Sequence, residues 1–169
     1  CVASRKPDNP RMHLADETAT VELARALERT REGAAVVFLQ GELGAGKSTL
    51  ARAWLRARGV EGAIRSPTYT LVEHYPLAGG GNALHLDLYR IGAAGELEFL
   101  ALDSDDAELW LVEWPERGAG ALPPPDLTLA LAIDGNGRSA ILTPGTPTGE
   151  AWRARLLVDS GLKPFLAAS

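Results

Sequence analysis

The stretch Gly41–Leu50, GELGAGKSTL, decides the fold. It holds a glycine, four residues, then Gly46-Lys47-Ser48, the spacing of a phosphate-binding P-loop. Glycines let the backbone curl until successive N–H groups point at one anion. Lys47 brings a mobile charge suited to β- and γ-phosphates. Ser48 carries a hydroxyl small enough to sit on Mg²⁺, and Thr49 and Leu50 lead into a helix whose N-terminus is partly positive. The flanks agree. Ala34–Leu39 is an apolar run that reads as a buried strand. Leu50, Trp54 and Ala57 fall on one helical face, with Arg52 and Arg56 on the other and Gly59 as the stop. Strand, loop and helix together predict a nucleotide cradle rather than a chance glycine turn.

Working outward, Asp16 is placed to cap a helix through about Arg31, with Ala19, Leu23, Ala26 and Leu27 as its apolar stripe. Ile64–Thr68 is broken by Pro67. Tyr69–Tyr75 and Ala83–Tyr89 read as strands joined at Gly79-Gly80-Gly81-Asn82, a hairpin. Gly95–Leu102 reads as a short helix and Asp103–Asp106 as a solvated acidic loop. Leu109–Trp114 is a further apolar strand. After the stiff Pro123-Pro124-Pro125 connector, Leu127, Leu129, Leu131 and Ile133 alternate, and Asp134–Gly137 turns the chain into Ser139–Thr143. Thr148 can cap a last helix to about Ser160, with Trp152, Leu156 and Asp159 near one face. Strands with few helices between them exclude a full set of parallel crossovers. The expected fold class is α/β: a single-domain P-loop NTPase-like fold, its mixed sheet parallel at the core and antiparallel at the flanks, with helices on both faces.

The chain of 169 residues suits one core. We expect a flexible leader or expression remnant over 1–13, the P-loop domain over 14–163 and a tail over 164–169. The net charge is −5 and no basic face stands out, which argues against DNA and against holding RNA unaided. The one cysteine, Cys1, excludes an internal disulfide and a cysteine zinc site, and fits a cytoplasmic location. No apolar run reaches the ~18 residues of a membrane span.

A P-loop alone binds nucleotide; hydrolysis also needs a carboxylate near Mg²⁺ and a group to orient water. Asp87 in LHLDLYR and Glu113 in LWLVEWPE are lone acids in apolar runs, costly unless paired. His85 shares a strand face with Asp87 and is either a satisfied half-buried histidine or a catalytic one. Ser66-Pro67-Thr68 is either a switch loop beside a γ-phosphate or a plain turn. Trp114 reads as a core aromatic beside the site. No Asn-Lys-x-Asp element for guanine and no arginine-dense lid occurs. The residues leave open an ATPase, a stand-alone small-molecule kinase and a non-hydrolysing nucleotide switch.

GELGAGKSTL, SPTYTLVEHY, LHLDLYRI and LVEWPE, in this order, together resemble the bacterial TsaE family (older name YjeE), small P-loop ATPases of tRNA threonylcarbamoyladenosine synthesis. LADETATVELARAL is similar to the family's start, so the resemblance covers about residues 14–143. It implies an accessory subunit of the TsaD–TsaB complex, which modifies adenosine 37 of tRNAs reading ANN codons. This subunit would hydrolyse ATP slowly when alone, resetting the complex and meeting tRNA only indirectly. It implies ATP and Mg²⁺ as cofactors. The phosphates and nucleotide fall to Gly41, Leu43, Gly44, Ala45, Gly46, Lys47, Ser48 and Thr49, with Glu17 and Arg138 nearby. Lys47, Asp87 and Glu113 take catalytic roles. Ser48, Glu113 and Asp87 are the metal-associated set, and Ser66 and Thr68 the switch-like loop.

Overall fold

The apolar run before the phosphate loop becomes the centre of the sheet. The computed structural model describes residues 9–92, 95–97 and 107–166. Its elements are β1 (Arg11–Leu14), α1 (Glu17–Thr30), β2 (Ala35–Gln40), α2 (Lys47–Ala57), β3 (Val72–Pro76), β4 (Asn82–Asp87), β5 (Ala107–Glu113), β6 (Leu127–Asp134), β7 (Gly137–Pro144) and α3 (Pro147–Leu157). Seven strands form one sheet in the order β1-β7-β6-β2-β5-β4-β3. β2 runs parallel to both β5 and β6, and β4 runs parallel to β5. The flanks are antiparallel: β3 with β4, β6 with β7, and β1 with β7. This is the mixed sheet with a parallel core that the sequence predicts.

β2 is apolar from Ala35 to Leu39 because it meets a core on each side. Val37 and Leu39 face the larger cluster, with Leu50, Trp54, Leu23, Leu27, Trp152 and Leu156 of the helices. Val36 and Phe38 pack against the second cluster, Leu84, Leu86, Trp110 and Val112, under Leu88, Ile91 and Leu97. The three α-helices therefore share one face. Among the described residues the other face carries loops and the 3₁₀ turns at Pro115–Gly118 and residues 95–97. Most of the expected Gly95–Leu102 helix and the Asp103–Asp106 loop lie outside the described residues. No helix among them is long and apolar enough to cross a membrane.

Several boundaries moved for local reasons. Asp16 caps α1 as expected, accepting the Ala19 amide at 2.9 Å. Leu55, not Ala57, joins Leu50 and Trp54 on the buried face of α2. The strand expected over Tyr69–Tyr75 begins three residues later, as β3 over Val72–Pro76. The Leu71 amide closes a turn on the Pro67 carbonyl at 2.8 Å, and Leu71 itself takes φ 67°. β4 ends at Asp87 because its carboxylate accepts the Tyr89 amide at 3.1 Å, turning the chain. Ile133 is 58 % exposed, so the buried alternation of β6 stops at Leu131. Thr146, not Thr148, caps α3: Pro147 takes the first helical position and the Thr146 hydroxyl accepts the Gly149 amide at 3.0 Å.

Asp159 lies past α3 and ties the C-terminal segment to α1. Its carboxylate takes Arg29 Nε at 3.0 Å and Nη2 at 2.6 Å, and the Gly161 and Leu162 amides at 3.0 and 3.2 Å. The Arg29 hydrogen bonds lead in holding the Asp159 carboxyl below its ordinary value. A lowered native pKa stabilises above the unfolded pKa and is lost as pH falls through the native one. Asp159→Asn should therefore cost about 1 kcal/mol near neutral pH. That gap should close as pH drops below the free-aspartate range. Urea titrations of both proteins across pH check this, and a gap that widens in acid would contradict it.

Candidate nucleotide site

β2 hands the chain to the phosphate loop at a crowded point. A Cβ on Gly41 would run into the Leu131 carbonyl oxygen, so only glycine fits where the loop passes β6. At the other end Gly46 takes φ 105° and opens α2 with no side-chain cap, leaving the first amides of the helix for an anion. Lys47 is 5 % exposed. Its ammonium donates to the Gly41 and Glu42 carbonyls at 2.6 and 2.8 Å and lies 4.5 Å from the centre of the Trp114 ring. Burial pushes the Lys47 ammonium down from its ordinary value, opposed by Glu113, Asp87 and Glu116.

The acids arrive from the neighbouring parallel strands. Register places Glu113 of β5 beside Leu39 of β2 on one side and Asp87 of β4 on the other. Both acids thus sit at the carboxyl ends of parallel strands, where open α/β sheets place ligands. The Ser48 hydroxyl donates to Glu113 Oε1 at 2.8 Å, and His85 Nε2 lies 2.6 Å from Glu113 Oε2. Asp87 is buried, and burial leads in pushing its carboxyl up; Glu113 adds to this, while the Tyr89 amide, His85 and Lys47 oppose it. Among the described residues no three His, Cys, Asp or Glu side chains gather as a metal cage. What does gather is one hydroxyl beside two carboxylates. These are hard oxygen donors of the kind Mg²⁺ takes when phosphate and water complete its shell.

A cavity of about 380 Å³ opens beside the loop. Leu43, Gly44, Gly46, Lys47, Ser48 and Thr49 line it from the loop side, Glu17 from the start of α1, and Arg138 from β7. Arg138 Nε donates to the Gly44 carbonyl at 3.1 Å. Gly41 and Ala45 do not line the cavity; Ala45 packs into the core at 1 % exposure and shapes the loop from behind. Ser66 and Thr68 share a hydroxyl–hydroxyl bond of 2.7 Å on the outer loop. That loop reaches the site through Leu71, whose carbonyl accepts the Asp87 amide at 3.0 Å. Trp114 is half-buried with φ 56°, its ring tilted at 49° against Tyr89 with centroids 5.0 Å apart and facing the Lys47 ammonium. It is as much part of the site as of the core. Sequence reasoning missed Ala15, Thr20 and Asn136, which also line the cavity. They carry no local signal, being brought there by the packing of α1 and the β6–β7 turn.

Comparison with known proteins fits this geometry. A family model described as "Threonylcarbamoyl adenosine biosynthesis protein TsaE" matches residues 14–140. The chain belongs to the TsaE family. TsaE of Haemophilus influenzae is 40% identical over 121 residues, 70% of this chain and 76% of that one. TsaE of Aquifex aeolicus is 37% identical over 122 residues, 71% of this chain and 84% of its own. Both are named tRNA threonylcarbamoyladenosine biosynthesis proteins. The crystal structure of Bacillus subtilis YdiB aligns with a TM-score of 0.69 over 87% of this chain and 93% of its own, at 21% identity, a likeness of fold. The span matched by the TsaE model runs from Leu14 through Ala140 and so takes in the phosphate loop, both acids and Arg138.

Proposed function

We propose that this TsaE-family chain binds ATP with Mg²⁺ and hydrolyses it to ADP and phosphate, as the accessory ATPase of the TsaD–TsaB complex in tRNA threonylcarbamoyladenosine synthesis. That role would be cytoplasmic. The observation that carries the reading is the 2.8 Å bond between Ser48, on the phosphate loop, and Glu113, on the next strand. It joins the anion cradle to a buried acid. Bound Mg²⁺ would neutralise charge on the phosphate oxygens, and Ser48 and Glu113 are the side chains to hold it, with Asp87 adjacent.

The chain's own groups do the rest. The amides of the loop and of the first turn of α2 take the phosphates. Lys47 leaves the Gly41 and Glu42 carbonyls for phosphate oxygens. Arg138 and Glu17 border the cavity in which the nucleoside would lie. Among the described residues Glu113 has a partner on each oxygen, whereas the Asp87 carboxylate accepts only the Tyr89 amide. Asp87, its carboxyl raised by burial, is therefore the better placed to orient the attacking water. Ser66 and Thr68 stand on the loop tied to Asp87 by Leu71, the route by which γ-phosphate could order that segment. The test is ATP turnover by TsaD–TsaB with tRNA. Adding this protein should raise it, and equal turnover with and without the protein defeats the proposal.

A further inference from the structure

His85 has no part in the chemistry above, yet it is among the most deeply placed polar side chains of the molecule, 2 % exposed. On β4 it lies between Ala83 and Asp87 along one face, with Leu111 of β5 and Glu73 of β3 as its cross-strand neighbours. Nε2 is 2.6 Å from Glu113 Oε2, while Nδ1 is buried with no hydrogen-bond partner among the described residues. A carboxylate only accepts, so this contact needs a ring hydrogen on Nε2. A buried imidazole with one nitrogen unsatisfied is a poor filler for a core, since an apolar side chain of similar bulk would carry no such cost. Its one polar bond goes to the acid that Ser48 holds by the other oxygen.

We infer that His85 is a positioning residue: by holding Oε2 it fixes the plane of the Glu113 carboxylate and keeps Oε1 at Ser48, where Mg²⁺ would be held. The inference rests on the Mg²⁺–nucleotide reading above. Two donors, one per oxygen, stop the carboxylate turning about its terminal bond. With one donor removed, Glu113 can swing away from Ser48 or take another partner. Partners that orient a metal-binding side chain are worth about 10- to 100-fold in metal affinity or activity.

The experiment compares ADP affinity, by calorimetry on the full chain, with and without Mg²⁺. His85→Leu keeps the bulk and removes the donor; His85→Gln returns an amide N–H near the position of Nε2. The native protein should gain affinity from Mg²⁺. His85→Leu should lose about 10-fold of that gain with its Mg²⁺-free affinity unchanged, and His85→Gln should recover most of it. An undiminished gain in His85→Leu, or equal loss in both folded variants, overturns the inference. Should His85→Leu fail to fold, His85→Asn replaces it, because its shorter amide cannot span to Glu113; equal gains in Asn and Gln then overturn it. A native protein with no Mg²⁺-dependent gain is a different result, which removes the cofactor reading beneath it.

Discussion

Glu113→Ala is expected to lower ATP hydrolysis by ~10²-fold or more while ATP still binds, the scale of a lost charge-stabilising group. The carboxylate stands where the phosphate loop and β5 meet, and both of its oxygens are engaged, by Ser48 at 2.8 Å and His85 at 2.6 Å. The loop amides and Arg138 remain, and Lys47 keeps its bonds to Gly41 and Glu42, so the phosphate cradle persists. Asp87→Ala should show the same split between binding and turnover, because Asp87 pairs with Glu113 in register across β4 and β5. Phosphate release measured beside fluorescent-nucleotide titration separates the two quantities. Hydrolysis unchanged in both variants would remove the assignment of the acids. Full hydrolysis loss in one and none in the other would decide which acid the chemistry needs. The first variant also strands the His85 donor and the Ser48 hydroxyl, so a melting curve must accompany it.

Trp54→Ala is expected to cost about 3–5 kcal/mol, the range for removing a large buried aromatic. Trp54 is fully buried on α2. Its ring meets Trp152 of α3 edge-on at 5.8 Å, and its Nε1 donates to Glu28 Oε2 of α1 at 3.0 Å. One side chain thus joins all three helices on the face above β2. Glu28 also receives Arg31 at 2.7 Å and lies 3.5 Å from Arg58, so losing the indole disturbs an ion-pair cluster as well as leaving a cavity. Against a total of about 5–15 kcal/mol for a domain, this is a large fraction. Urea unfolding followed by circular dichroism measures it, and a loss under about 1 kcal/mol would contradict the role given to Trp54. The double variant with Trp152→Ala should be less than additive, because the second truncation removes a partner already gone. Since α2 begins with Lys47 and Ser48, partial loosening should also weaken nucleotide binding.

Much of the fold was legible in the residues because its signals are local. Asp16 three residues before Ala19, apolar spacing along α1 and α2, and the Asp134–Gly137 turn each act within a few positions. Two strand ends differ from the local pattern for one reason. Tyr69 and Tyr89 have strand-forming side chains, but hydrogen bonds to Pro67 and Asp87 turned the backbone before pairing could reach them. At Thr146 the proline that follows sets the helix start, a rule visible in the sequence itself. The residues singled out the acids, each alone in an apolar run, but not what holds them.

By itself, then, the sequence determined the phosphate loop between its strand and helix, the two hairpins, and the residue types able to meet a metal and phosphate. Spacing of a few residues suffices for these, since backbone geometry alone sets which neighbours face together. Only the tertiary structure decided that β2 lies between β5 and β6, and that the helices share one face. It alone brought Glu113 to Ser48 across 65 positions and Arg138 to Gly44 across 94. Such contacts follow from strand order and from how two apolar clusters close over both sides of the sheet, and no local pattern encodes that closure.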